Sequence, residues 1–115
     1  MSNVGDFLPL APAPLHIMMA LVGQNLHGYG IMREIKESTE GRYQLGPGTL
    51  YDNLQRLLDQ GLVQETIVRS GQDPRRRYYR LTALGQSVIV AEIDRLEAAF
   101  GTAKARLKLP KPRKA

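Results

Sequence analysis

Three adjacent arginines, Arg75, Arg76 and Arg77, follow the turn-forming run Ser70-Gly71-Gln72-Asp73-Pro74. Guanidinium groups placed this closely repel one another unless an anion lies among them, and a nucleic-acid backbone supplies such anions in series. A second constellation lies upstream. Thr49, Tyr51, Asp52, Asn53 and Arg56 share the polar side of a segment whose apolar residues are Leu50, Leu54, Leu57 and Leu58. Asparagine can bond adenine bidentately and arginine can reach a phosphate, yet Thr49, Asn53 and Arg56 also suit an ordinary solvated face, and both readings stand. Pro47 and Gly48 set a tight turn that lets helix amides approach a phosphate.

Other chemistries find little support. The chain has no cysteine, which removes disulfides, thiolate zinc sites and a cysteine nucleophile together. Its two histidines, His16 and His27, have no HxxxH spacing, so no metal site is expected. His27, just before Gly28, invites a metal or proton-switch role, but a structural histidine at a helix start is the simpler reading. His16 beside Met18 and Met19 reads as packing, since side chains adjacent on a helix point different ways. Tyr78-Tyr79 has no metal cluster or catalytic base beside it, so a strand with one tyrosine in the core and one on the surface is expected. No catalytic residue, cofactor or enzymatic activity is expected.

The 115 residues suffice for one domain, with ordinary globular composition at 43% hydrophobic and 23% charged. The net charge of +5 is unevenly spread. Residues 104–115 carry +6 and residues 69–80 carry +4, so the rest of the chain is acidic. Cationic charge gathered in two short segments fits a polyanion such as DNA, RNA or an anionic membrane, although a basic terminus is also commonly just solvated. The uncharged stretch Phe7 to Met32 is broken by Pro9, Pro12, Pro14, Gln24 and Asn25, and no basic segment precedes it. Neither a membrane span nor a secretory signal is expected, and the cytoplasm is the default location.

These residues must be positioned by particular elements. Residues 1–13 read as an irregular arm, and Pro14 suits the first turn of a helix carrying Leu15, Met18, Met19 and Val22. Tyr29, Ile31, Met32 and Ile35 mark a second helix, ended by Gly41 in a left-handed cap. The third runs from about residue 48 to 60, with Gly61 as its stop. Leu62 to Val68 and Arg77 to Leu81 then form a β-hairpin, with Arg76 and Arg80 on one face and Arg77, Tyr79 and Leu81 on the other. Thr82 caps a last long helix running to about residue 107, on which Ile89, Ile93, Leu96, Phe100, Ala103 and Leu107 form a heptad seam interrupted at Gly101. Three helices, a basic hairpin and a long helix make a mostly α fold: a winged helix-turn-helix followed by a C-terminal dimerisation helix. The second helix of the helix-turn-helix pair fits a major groove, and the wing reaches flanking phosphates or the minor groove. The domains are then an arm (1–13), the DNA-binding unit (14–82), the dimerisation helix (83–109) and a basic flexible tail (110–115).

Three segments in this order carry a resemblance: His27-Gly28-Tyr29-Gly30-Ile31, Gly48-Thr49-Leu50-Tyr51 continuing into Leu54-Gln55-Arg56-Leu57, and Arg77-Tyr78-Tyr79-Arg80-Leu81-Thr82 with Gly85. Over residues 15–107 the chain resembles the PadR family of transcriptional regulators, in its compact branch with a single C-terminal helix. The resemblance implies a homodimer, repression at pseudo-palindromic sites, and release by a small hydrophobic or aromatic effector. It also makes Tyr51 a phosphate or base contact, with a half-buried packing tyrosine as the alternative. Two features depart from the family: Gly30 replaces a usual polar helix former, and the chain has no tryptophan with which to stack an effector.

A helix of about 25 residues is about 37 Å long and overhangs so small a domain, so its distal half needs a partner, most simply a second copy. Phe7, Met18, Met19 and Phe100 are candidate lining for an effector pocket between protomers, although an ordinary hydrophobic dimer core explains the same residues. A sequence-specific, DNA-binding homodimeric repressor is the function expected. A winged-helix protein-interaction module with only non-specific DNA affinity is the alternative. The tail lacks enough apolar anchors for a membrane-surface role.

Overall fold

A computed structural model describes residues 3–67 and 76–108. The Asn3 side chain caps a short 3₁₀ helix, Val4–Phe7, and Asp6 reaches back to the Asn3 amide. Helix α1 spans Pro12–Ala20 and thus begins two residues before Pro14. Both prolines stand among the first amides of the helix, which have no partner within it, so neither breaks a bond. Residues 3–13 are therefore more regular than the irregular arm the prolines suggest.

Strand β1 (Leu26–His27) leads into α2 (Gly28–Ser38), and α3 follows at Pro47–Asp59. Leu50, Leu54 and Leu57 of α3 are buried with Ile31 and Ile35 of α2 and Ile17 and Met18 of α1, which forms the core. Positive φ at Gly41 (77°) and Gly61 (74°) turns the chain after α2 and α3, a conformation that glycine adopts without strain.

Strands β2 (Val63–Thr66) and β3 (Tyr78–Leu81) pair antiparallel with Gln64 opposite Arg80 and Glu65 opposite Tyr79. β1 adds to the other side of β3, with His27 opposite Tyr78, so the expected hairpin is part of a three-stranded sheet ordered β1-β3-β2. Tyr78 and Tyr79 are both buried, at 7% and 3% exposure, and the expected surface tyrosine is absent. His27, opposite Tyr78 in the sheet, sets its ring 5.3 Å from the Tyr78 ring on the same face.

Helix α4 (Ala83–Arg106) is capped by Thr82, whose hydroxyl accepts from the Gly85 amide (3.0 Å) and donates to the Gly61 carbonyl (2.6 Å). It runs unbroken through Gly101, close to the expected end at about residue 107. A Cβ at Gly85 would collide with the Leu62 carbonyl, so this glycine is what lets α4 lie against the start of β2. Val88, Ile89 and Glu92 are buried, and nothing beyond Glu92 is. The helix then projects: the radius of gyration is 16.0 Å, where a compact chain of this length has about 13 Å. Among the described residues no helix is long and apolar enough to cross a membrane.

Candidate nucleic-acid interface

The apolar stripe of α3 fixes which of its polar residues face outward. At 100° per residue, Asp52 and Gln55 lie opposite Leu50, Leu54 and Leu57 with Thr49 and Arg56 to one side of them, and all four are exposed. Tyr51 and Asn53 sit on opposite flanks of the stripe. Asn53 is half-buried toward the N-terminal arm, and its amide donates to the Thr49 carbonyl (2.8 Å). Asp52 and Gln55 therefore hold the central outward positions, where the sequence pointed to Asn53. A helical projection of the Leu50/Leu54/Leu57 stripe is the signal that finds them. Gln55 also donates to Asp59 (2.9 Å), and Gly48, in the first turn, is exposed.

Tyr51, 49% exposed, leans away from α3 toward the start of α2. A Cβ on Gly28 would collide with the Tyr51 hydroxyl, so glycine at this position lets the phenol lie directly against the start of α2. His27 precedes α2 without capping it through its side chain, which leaves the first amides of α2 without a side-chain acceptor. The His27 ring lies beside Gly30, where a Cβ would stand 3.1 Å from Nδ1. A side chain there would need the His27 ring to shift by a few tenths of an ångström.

The wing meets these residues from the third side. Arg76 Nη1 lies 3.1 Å from His27 Nε2. A guanidinium can only donate, so His27 accepts at Nε2 and carries its proton on Nδ1. Burial, then the charges of Arg76 and Arg33, hold the His27 pKa below its ordinary value, so the ring is neutral at neutral pH. Its centroid is 5.3 Å from that of Tyr78. Arg77 pairs with Glu65 (3.6 Å), and Arg80 donates to the Gln64 side-chain oxygen (2.9 and 2.7 Å). Burial raises the Tyr79 phenol pKa, with Glu65 adding to the shift and Arg77 opposing it. Arg76 and Arg77 are thus held in place by neighbours. Arg75, the turn at 70–74 and the tail at 110–115 lie outside the described residues.

Together His27, Gly28, Tyr29, Tyr51, Arg76, Arg77 and Tyr79 line a polar cavity of about 490 Å³ at the junction of α2, α3 and the sheet. It offers two guanidinium groups, phenol hydroxyls and a helix N-terminus to an anion. Tyr29 also borders a larger groove of about 630 Å³ along α2, with Met32 and Leu45 among its apolar lining residues and Arg33 and Lys36 beside Glu37 and Glu40. The Arg33 guanidinium lies over the Tyr29 ring, 5.9 Å from its centroid.

The residues expected to line an effector pocket are dispersed within the protomer. Met18 has 0% exposure and belongs to the core, where the periodicity of α1 turns it inward. Phe7 lines a cavity of about 240 Å³ between the arm and α3, with Asn53 and Arg56 opposite. Met19 lines another, of about 290 Å³, with His16 and Glu34. Phe100 stands on distal α4, 56% exposed. His16 itself stacks on Tyr43 at 4.3 Å, a packing role.

The seam on α4 also begins later than its spacing suggests. Ile89 is 1% exposed and packs in its own domain, whereas Ile93 (37%), Phe100 (56%) and Leu107 (69%) are open, as are Val90 and Ala103. Leu96 is half-buried. Among the described residues, no group of three or more histidines and carboxylates could hold a metal ion.

Residues 17–91 match the transcriptional regulator PadR-like family. Transcriptional regulator Rv3488 of Mycobacterium tuberculosis is 36% identical over 88 residues, covering 76% of this chain and 78% of that protein. A transcriptional regulator from Clostridium thermocellum, Cth-833, is similar in structure with a TM-score of 0.66 at 27% identity, over 86% of this chain and 90% of that one. Bacillus subtilis PadR in complex with operator DNA shares the fold, with a TM-score of 0.60 at 22% identity over 70% of this chain and 45% of that one. The chain, with its winged-helix core and projecting α4, belongs to the transcriptional regulator PadR-like family.

Proposed function

We propose that the protein is a homodimeric, sequence-specific DNA-binding repressor. Each protomer sets α3 in a major groove, with Thr49, Asp52, Gln55 and Arg56 toward base edges and phosphates. The cavity of Tyr29, Tyr51, Arg76 and Arg77 takes a backbone phosphate beside that groove. This juxtaposition of an exposed polar helix face and a cationic, amide-lined cavity carries the reading. The Bacillus subtilis protein, on the same fold, binds operator DNA.

The open face Ile93, Leu96, Phe100, Ala103 and Leu107 of α4 covers itself against a second copy. A two-fold dimer then presents two α3 helices to half-sites about one helical turn, roughly 34 Å, apart. The unit at 14–82 reads DNA and the helix at 83–109 joins the protomers, in the cytoplasm where the chromosome is. An effector lodged between protomers meets Phe100 and its neighbours and acts by changing the separation of the α3 helices.

Selection of bound sequences from a random duplex pool tests this reading. A two-fold symmetric motif is expected. Enrichment of nothing by a folded dimer overturns it and favours a protein-interaction module.

A further inference from the structure

Glu92 is the one charged side chain sealed from water among the described residues, with 0% exposure. Its Oε2 accepts the Leu10 backbone N–H at 2.7 Å, across 82 residues of chain. Arg95 donates to both carboxylate oxygens from the next turn of α4. A buried ion pair seldom outperforms an apolar side chain in stability, and its best-attested role is to fix one geometry among several.

The segment that Glu92 holds touches two elements that matter for DNA reading. The 3₁₀ helix at Val4–Phe7 packs on α4. Phe7, Leu8 and Leu10 pack against the core, and Phe7, Pro9 and Leu10 face Asn53 and Arg56 of α3 across a small cavity. The arm is thus a wedge between the reading helix and the projecting helix, and Glu92 is the last buried residue of α4. Beyond it, 14 helical residues extend about 21 Å. A tilt of about 5° at Glu92 moves the far end by about 2 Å, and two protomers together shift by about the 3.4 Å rise of one base pair.

From this juxtaposition we infer that Glu92 is a positioning residue that sets the half-site spacing of the operator. It does so by locking the arm to α4 and so fixing the angle between α4 and α3. The inference rests on the dimeric DNA-reading function above.

The test compares operators carrying the selected motif with versions that have one base pair added or removed between half-sites. Wild-type protein discriminates strongly between them. Glu92→Leu is expected to remain dimeric, keep the same half-site bases and lose about tenfold of that spacing discrimination, the scale of one charge-assisted hydrogen bond. Glu92→Gln keeps an acceptor for Leu10 and restores most of it. A folded Glu92→Leu dimer that discriminates as wild type overturns the inference, as does a glutamine variant as lax as the leucine. Should the leucine variant not fold, Arg95→Gln, at a side chain 44% exposed, is expected to relax spacing in the same direction, and unchanged discrimination there overturns the inference. Absence of any two-fold motif in wild type is a different result and refutes the dimeric reading itself.

Discussion

Arg76→Ala separates an anchoring arginine from a solvated one. Among the described residues, Arg33, Arg56, Arg76 and Arg77 are the arginines bordering the α3 face and its adjoining cavities, with Lys36 set beside Glu37 and Glu40. Four phosphates per protomer make about eight per dimer, so the log–log dependence of affinity on salt is expected to have a slope of about −7. Removing Arg76 deletes two of the eight, and the slope falls to about −5.4. Because phosphate contacts carry no base information, all sequences lose affinity together. An internal control comes from His27, whose pKa is held down first by burial and then by the charge of Arg76. In the variant the His27 pKa rises toward its ordinary value, as followed by NMR titration of the ring. Fluorescence anisotropy on one duplex across a salt series gives the slope. A variant that retains the wild-type slope while its His27 pKa rises refutes the phosphate role and leaves Arg76 as a partner of the imidazole alone.

Asp52→Ala is expected to change which base is preferred at one position of each half-site, with the salt slope unchanged, in repeat selection. Gly85→Ala forces a methyl group onto the Leu62 carbonyl and is expected to cost about 1–3 kcal/mol, read from urea unfolding. Phe100→Glu, at a 56% exposed position, leaves the protomer folded and halves its mass in sedimentation. His27 has a depressed folded pKa, so the unfolded chain binds its proton more readily. Its contribution to stability is present above the ordinary value of 6.5 and lost as pH falls through the lowered folded value. His27→Gln should therefore flatten the fall in urea midpoint between neutral and mildly acid pH.

Much of this structure could be read from residue spacing, because single helices and hairpins write their buried faces locally. Leu50, Leu54 and Leu57 declare α3, and Thr82 declares the start of α4. What escaped depends on partners far along the chain. β1 is two residues long and shows no alternation; only its pairing with Tyr78 and Tyr79 makes it a strand. Tyr79 is buried in the core, and Tyr78 lies beside the His27 ring that the pairing brings to it. Glu92 reads as a solvated carboxylate until the Leu10 amide is brought to it. Ile89 and Ile93 obey one period, yet the first meets its own core and the second faces outward, since periodicity does not say which partner a face has. On α3 most of the polar face was legible, but Gln55 was passed over, and a helical projection of Leu50, Leu54 and Leu57 is what places it and Asp52 furthest from the core.

Hydroxyl-radical footprinting of the dimer on a selected duplex tests most directly whether two α3 helices read successive major grooves from one face. Two protected patches on the same face of the DNA are expected, centred about 10 base pairs apart. A single patch, or uniform protection that does not depend on sequence, would contradict the paired reading.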